Sequence, residues 1–224
     1  MHLADLNWMD IERYLEQDDR IILITGATEQ HAYLSLLTDI KIPQAIAGAV
    51  AEREGVLVAP PLNFGCSQYF MEYPGTISLS EQTFAQVVVE VIKSLLQHGF
   101  SRFLILNGHG GNTPPPDLEE LQREIDDLRI VWYNWWQGEA ARRLASEIGA
   151  EPNHANWLEN FPFTRVGDVP AGEKPPLPSY EGIMPTRDVL GDGSFGGPYQ
   201  MPDPVMERLF DAVVEEAAEL VRRL

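Results

Sequence analysis

The sequence has one cysteine, Cys66, so no internal disulfide can form, and the simplest place for that thiol is as a small buried residue. Basic residues are few. Against 34 Asp and Glu stand 16 Lys and Arg, a formal charge of −18 that repels nucleic-acid phosphates and anionic lipid surfaces at long range. No apolar run approaches the roughly eighteen residues a membrane span needs. The opening MHLADLNWMD carries two acids and no apolar h-region, so it does not read as a secretory signal. These absences argue against nucleic acid and membrane as partners and favour a cytoplasmic location. Repeats, low-complexity tracts, a GxGxxG turn and a lysine-bearing phosphate loop are also missing.

What is present is ordinary globular material: 224 residues, 44% hydrophobic and 22% charged, enough chain for one self-sufficient core. A single domain over 1–224 is expected. Short apolar runs, IILIT (21–25), VLVAPPL (56–62), RFLIL (102–106) and RIVWYNW (129–135), read as strands buried on both faces, hence a parallel sheet. Between them, 42–54 and 80–99 repeat apolar side chains at helical intervals, the second opened by Ser80 and closed by Gly99. PPPDLEELQREIDDL after Asn112 and PVMERLFDAVVEEAAELVRRL at the end read as further amphipathic helices. This alternation predicts an α/β layered domain with ligands at the C-terminal rim of the strands. From 150 to 204 proline, glycine and aromatics replace periodicity, as in VPAGEKPPLPSYEG, which suggests long ordered loops near the site or at a subunit contact.

Three clusters of acids and imidazoles fall at predicted strand ends or beyond. TEQHAYLSLLTD follows the first strand and offers Glu29, His31 and Asp39. Glu and His two apart on extended chain project to one side, and Asp39 can join them if the intervening loop curls back. Two carboxylates and an imidazole suit zinc, manganese or iron, though an isolated EQH is more often a solvated loop. LILNGHGGN follows the third strand. Its glycines let His109 reach into a cleft, while Asn107 and Asn112 have the structural role of holding the turn. NHANWLENF carries His154 and Glu159, and alone reads as a loop with one buried tryptophan. His2 and His98 read as surface residues.

Taken together, EQHAYLSLLTD, YPGTISLS, NGHGGN and HANWLE resemble, in order and at compatible separations over roughly residues 20–160, the motifs of the creatininase family. That resemblance implies a three-layer α/β/α sandwich with a mainly parallel central sheet, and one or two divalent ions at the strand rim. Matched by position, Glu29 and His109 would hold one ion, His31 the other, and Asp39 would bridge them. In members with an NGHYEN motif a glutamate follows the histidine where this chain has Gly111, and members with NGHGGN use the later glutamate, here Glu159. His154 matches the family's catalytic histidine. The implied activity is hydrolysis of a C–N amide bond in a small molecule, cyclic amide or formamide included, by an assembly with six subunits favoured.

The chain departs from the family in places. Its Glu29 to Asp39 loop is one residue shorter than usual, and Tyr69 and Phe70 stand where a Glu-His pair often precedes the PGT element. Trp157 stands in the third segment with Asn156 where a glycine and an extra acid are usual. Tyr69, Phe70 and Trp157 are therefore the candidate substrate contacts, for a flat or apolar body rather than a compact polar ring such as creatinine. The alternative is a metal-bearing binding or scaffold protein without turnover, against which the retention of His154 argues.

Overall fold

The structure is a computed structural model that describes residues 1–177 and 186–224; the last part of the proline-rich stretch read above, 178–182, lies outside the described residues. After a capped helix α1 (Trp8–Leu15) the chain alternates β1 (Arg20–Thr25), α2 (Thr38–Glu54), β2 (Leu57–Val58), α3 (Glu81–Gln97), β3 (Arg102–Asn107), α4 (Asp117–Glu124), β4 (Arg129–Asn134) and α5 (Glu139–Ile148). It ends with a small hairpin of β5 (Glu173–Lys174) and β6 (Gly197–Pro198), a short α6 (Arg187–Leu190) between them, and the long α7 (Asp203–Arg222). Among the described residues no helix is long and apolar enough to cross a membrane.

The main sheet runs β2-β1-β3-β4, every neighbour parallel. Alternate strand residues serve opposite layers. Ile22 and Ile24 of β1 and Leu104 and Leu106 of β3 pack beneath α2, α5 and α7. Ile21, Leu23, Phe103 and Ile105 pack beneath α1, α3 and α4. Burying such a side chain contributes about 1.5–3 kcal/mol, against about 1–2 kcal/mol per residue for ordering the backbone, so strands this short need both faces covered. The result is the α/β/α sandwich that the alternation and the family resemblance predict.

The boundaries of β2 and α2 differ from the sequence reading. β2 stops at Val58, because Pro60 and Pro61 have no N–H to continue a ladder. α2 begins at Thr38, four residues ahead of the predicted start, so Asp39 sits in the first turn of a helix rather than on a curled loop.

β1 leads outward to β2 and β3 leads outward to β4, so the loops leaving their C-termini diverge and open a crevice between them. Thr25 of β1 faces Asn107 of β3, which faces Asn134 of β4. Their side chains are linked, Thr25 Oγ1 donating to Asn107 Oδ1 at 3.0 Å and Asn107 Nδ2 to Asn134 Oδ1 at 2.9 Å. The first turn of α2 presses into this crevice. A Cβ at Gly26 would lie 2.3 Å from the Asp39 carbonyl oxygen, and one at Gly108 2.0 Å from it, so only glycine permits the approach. Pro43 has no N–H to offer that carbonyl from the next turn of the helix.

Candidate metal centre

The loop after β1 brings Glu29 and His31 to the crevice, the first turn of α2 brings Asp39, the turn after β3 brings His109, and the segment beyond α5 brings His154 and Glu159. Two groups of three ligand atoms lie within 4.8 Å of one another, Glu29–Asp39–His109 and His31–Asp39–Glu159, with Asp39 common to both. A third group, Glu29–His31–His154, meets the same distance. Glu29, His31, Asp39 and His109 are all buried.

The tautomers of the two candidate ligand histidines follow from what each ring touches. His109 Nε2 lies 3.0 Å from the Cys66 carbonyl, which can only accept, so Nε2 carries the proton and Nδ1 presents a lone pair. That lone pair faces Asp39 Oδ2 at 2.9 Å and Glu29 Oε1 at 3.5 Å. His31 Nδ1 lies 3.3 Å from the Glu29 carbonyl, so Nε2 presents the lone pair, toward Asp39 Oδ1 at 2.9 Å and Glu159 Oε1 at 3.7 Å. Glu29 Oε2, His31 Nε2 and Asp39 Oδ2 are buried without a hydrogen-bond partner. Lone pair against carboxylate oxygen, twice over, is repulsive unless positive charge, a proton or a metal ion, sits between them, and two divalent ions at these points would supply it. The residues fit the group.

The electrostatics point the same way. Burial works against a charged His31, yet the Asp39 and Glu159 carboxylates outweigh it and hold its pKa well above the ordinary value. His109 is raised in the same manner, burial being overcome by Glu29 and Asp39. Burial pushes Asp39 up, but His31 and His109 hold it far below the usual carboxylate range. The carboxylates demand positive charge where the imidazole lone pairs point.

Glu159 is braced by the Ala155 N–H, 2.7 Å from its Oε2, which leaves Oε1 toward His31. Gly111, where other family motifs carry a glutamate, has no space for a side chain: a Cβ there would meet the Cys66 oxygen at 2.1 Å and His109 Nε2 at 2.5 Å. Asn107 and Asn112 hold the turn as expected. Asn107 accepts from His109 N and donates to His109 O, and Asn112 bridges Cys66 N and Gly26 O. His2 pairs with Val58 at the sheet edge and His98 ends α3, both apart from the cluster.

His154 stands beside the ligands with Nδ1 3.7 Å from Glu29 Oε1. Its ring stacks on Phe70 at 4.6 Å, with His31 at 4.5 Å and Phe195 at 5.1 Å. Burial, then the neighbouring His31, lowers its pKa to about 4. Two lobes open on either side. One, of about 200 Å³, is lined by Tyr69, Phe70, Cys66, Ser67 and Phe195; the other, of about 250 Å³, by Trp136, Asn153, Leu158 and Glu159. Larger grooves lie on the α5/α7 surface and near the N-terminus, but they hold no part of the cluster.

Of the candidate substrate contacts, Phe70 and Tyr69 line the first lobe, Tyr69 at its exposed rim. Trp157 does not. It is fully buried in the core under α5 and α7, its Nε1 donating to the Glu151 carbonyl, because the short helical turn Trp157–Glu159 points Glu159 at the site and the indole away from it. Sequence reading also passed over Phe195, whose segment folds back on its own chain: Phe195 N donates to the His154 carbonyl, and Lys174 ties down Leu190, Asp192 and Ser194.

A family model described as creatininase, creatinine amidohydrolase, matches residues 4–221. Creatinine amidohydrolase of Pseudomonas putida is 30% identical over 148 residues, 60% of this chain and 57% of that protein, so the match spans less than two thirds of that relative. The mycofactocin precursor peptide peptidase of Mycobacterium tuberculosis is 34% identical over 224 residues, covering 91% of this chain and 84% of its own length. Among solved structures, a manganese creatininase superposes with a TM-score of 0.82 at 26% identity over 99% of this chain and 97% of that one. A creatininase variant of Zn-Zn type gives 0.82 at 25% identity, with the same coverage. With the sandwich, the crevice and a buried cluster suited to divalent ions all inside the matched range, the chain belongs to the creatininase family, and it is a metal-dependent amidohydrolase.

Proposed function

We propose that the protein hydrolyses a C–N amide bond in a small molecule at a two-ion centre, Glu29 and His109 holding one ion, His31 and Glu159 the other, and Asp39 shared between them. The observation that carries this reading is the pair of buried imidazole nitrogens, His31 Nε2 and His109 Nδ1, turned onto buried carboxylate oxygens on either side of Asp39. Bound divalent ions would supply a water-derived nucleophile near neutral pH and polarise the amide carbonyl. The chain's own residues do the rest. Asp39 fixes the separation of the two sets, since its Oδ1 faces His31 and its Oδ2 faces His109. Phe70 and Phe195 flank His154 and give that side of its ring an apolar lining. His154 acts on the substrate through Nδ1, the nitrogen turned toward the cluster.

Lobes on both sides of the cluster suit an amide extended in two directions, its flat or apolar body against Phe70, Tyr69 and Phe195. Aryl formamides, cyclic amides with an apolar substituent and short peptide amides belong to that class, and the peptidase relatives support the last. The test is kcat/KM of the manganese- or zinc-loaded protein on creatinine, an aryl formamide and a short peptide amide. A missing hydrogen bond to a polar ring should set creatinine about ten- to a hundredfold below the best of the others. Creatinine as the preferred substrate contradicts the pocket reading. No turnover on any of them with both ions bound contradicts the enzyme and leaves a metal-bearing binding protein.

A further inference from the structure

We propose that Gln30, between the ligands Glu29 and His31, is a positioning residue that fixes His154 as the tautomer with its proton on Nδ1, so that this ring meets the substrate as a hydrogen-bond donor and does not ligate an ion. The inference rests on the reading that His154 acts on the substrate.

Gln30 is buried, and its amide is held at both ends. Oε1 accepts from the Ala32 N–H at 3.1 Å, and Nε2 donates to the Gly193 carbonyl at 3.1 Å. Exchanging the two amide atoms would set oxygen against the Gly193 oxygen and N–H against the Ala32 N–H, two repulsive contacts, so the orientation is determined. The Ala32 contact is bought with backbone strain, since Ala32 has φ of 48°. Gly193 allows the other: at φ of 96° it sits so close that a Cβ would fall 1.8 Å from Gln30 Oε1. The Gln30 backbone N–H is tied to Thr76 Oγ1 at 3.1 Å.

One N–H of the Gln30 amide is left, and it meets His154 Nε2 at 2.8 Å. The Gln30 carbonyl, 3.2 Å from the same nitrogen, is the competing partner and would take a proton carried on Nε2. That arrangement would oppose N–H to N–H at the shorter distance, so Nε2 is the acceptor and the proton lies on Nδ1. Nδ1 is the nitrogen facing Glu29 and the cleft. A protonated nitrogen has no lone pair for a metal, which removes the Glu29–His31–His154 group as a third ligand set although its atoms are close enough. A neutral N–H aimed at the cleft can instead stabilise charge developing on the amide oxygen.

The test is long-range ¹⁵N–¹H NMR of the histidine side chains in zinc-loaded protein. The chain has five histidines, and His154→Ala identifies the signal. The proposal expects the His154 proton on Nδ1 in the parent. In Gln30→Glu, a carboxylate that can only accept draws it to Nε2, with the metal content unchanged. Gln30→Glu and Gln30→Met should each lose about ten- to a hundredfold in kcat, with KM changed less than about threefold. A parent signal with the proton on Nε2 overturns the proposal, as does an ion lost from His154→Ala. If the tautomer is as expected but His154→Ala keeps full turnover, the reading of His154 as acting on the substrate fails instead, and the two failures are distinct.

Discussion

At the scale of residues, His154 and Glu159 are five apart in sequence and are held in different ways. Glu159 is braced on the Ala155 N–H with one oxygen free for the cluster, whereas His154 is clamped between aromatic rings and the Gln30 amide. His154→Ala should keep its metal and lose about a hundred- to ten-thousandfold in turnover; metal analysis beside kcat checks both halves, and loss of an ion would make it a ligand. The acids and imidazoles of this site were legible in the sequence because few residue types bind divalent ions and each stands beside a predicted strand end. Gln30 and Phe195 were not. Their importance lies in contacts with partners far along the chain, Gln30 with His154 and Gly193, Phe195 with Phe70, and no local pattern announces these. Trp157 misled because its place within a site motif says nothing about which way the ring turns.

At the scale of elements, the site depends on how closely α2 approaches β1 and β3. Gly108 makes that approach, since a Cβ there would collide with the Asp39 carbonyl and with Pro43. Gly108→Ala must therefore shift helix backbone rather than a flexible side chain, and should cost at least about 1–3 kcal/mol, with loss of metal as Asp39 moves. Gly110→Ala, whose Cβ would have its nearest neighbour 4.0 Å away on Trp136, is the control and should keep both stability and metal. Thermal unfolding with metal analysis separates the two variants. The strands and longer helices could be read from periodicity, but the start of α2 could not: Pro43 resembles the first residue of a helix, whereas in the fold it is the sixth. α1 and α5, of eight and ten residues, lack the proline-led acidic opening that announces the equally short α4, and packing on the sheet stabilises them.

At the scale of the whole molecule, the family resemblance implies assembly, and the surface has the material for it. Trp8, Phe64, Tyr69 and Met71 are exposed, Trp8 by 71%. Contact with another subunit would cover side chains such as these. Light scattering at micromolar concentration should give a closed homo-oligomer, six subunits favoured, and a monomer would count against it. The charge of −18 does not oppose assembly through apolar contacts at physiological ionic strength, where exposed charges are screened within about 8 Å.

The proposed centre stands on one carboxylate, Asp39, joining two ion sites. The most direct measurement is the number of ions per chain, by elemental mass spectrometry, in the parent and in Asp39→Ala after loading with zinc and removal of the excess. Two ions are expected in the parent and at most one in Asp39→Ala, with circular dichroism unchanged. Two ions retained in Asp39→Ala would contradict it.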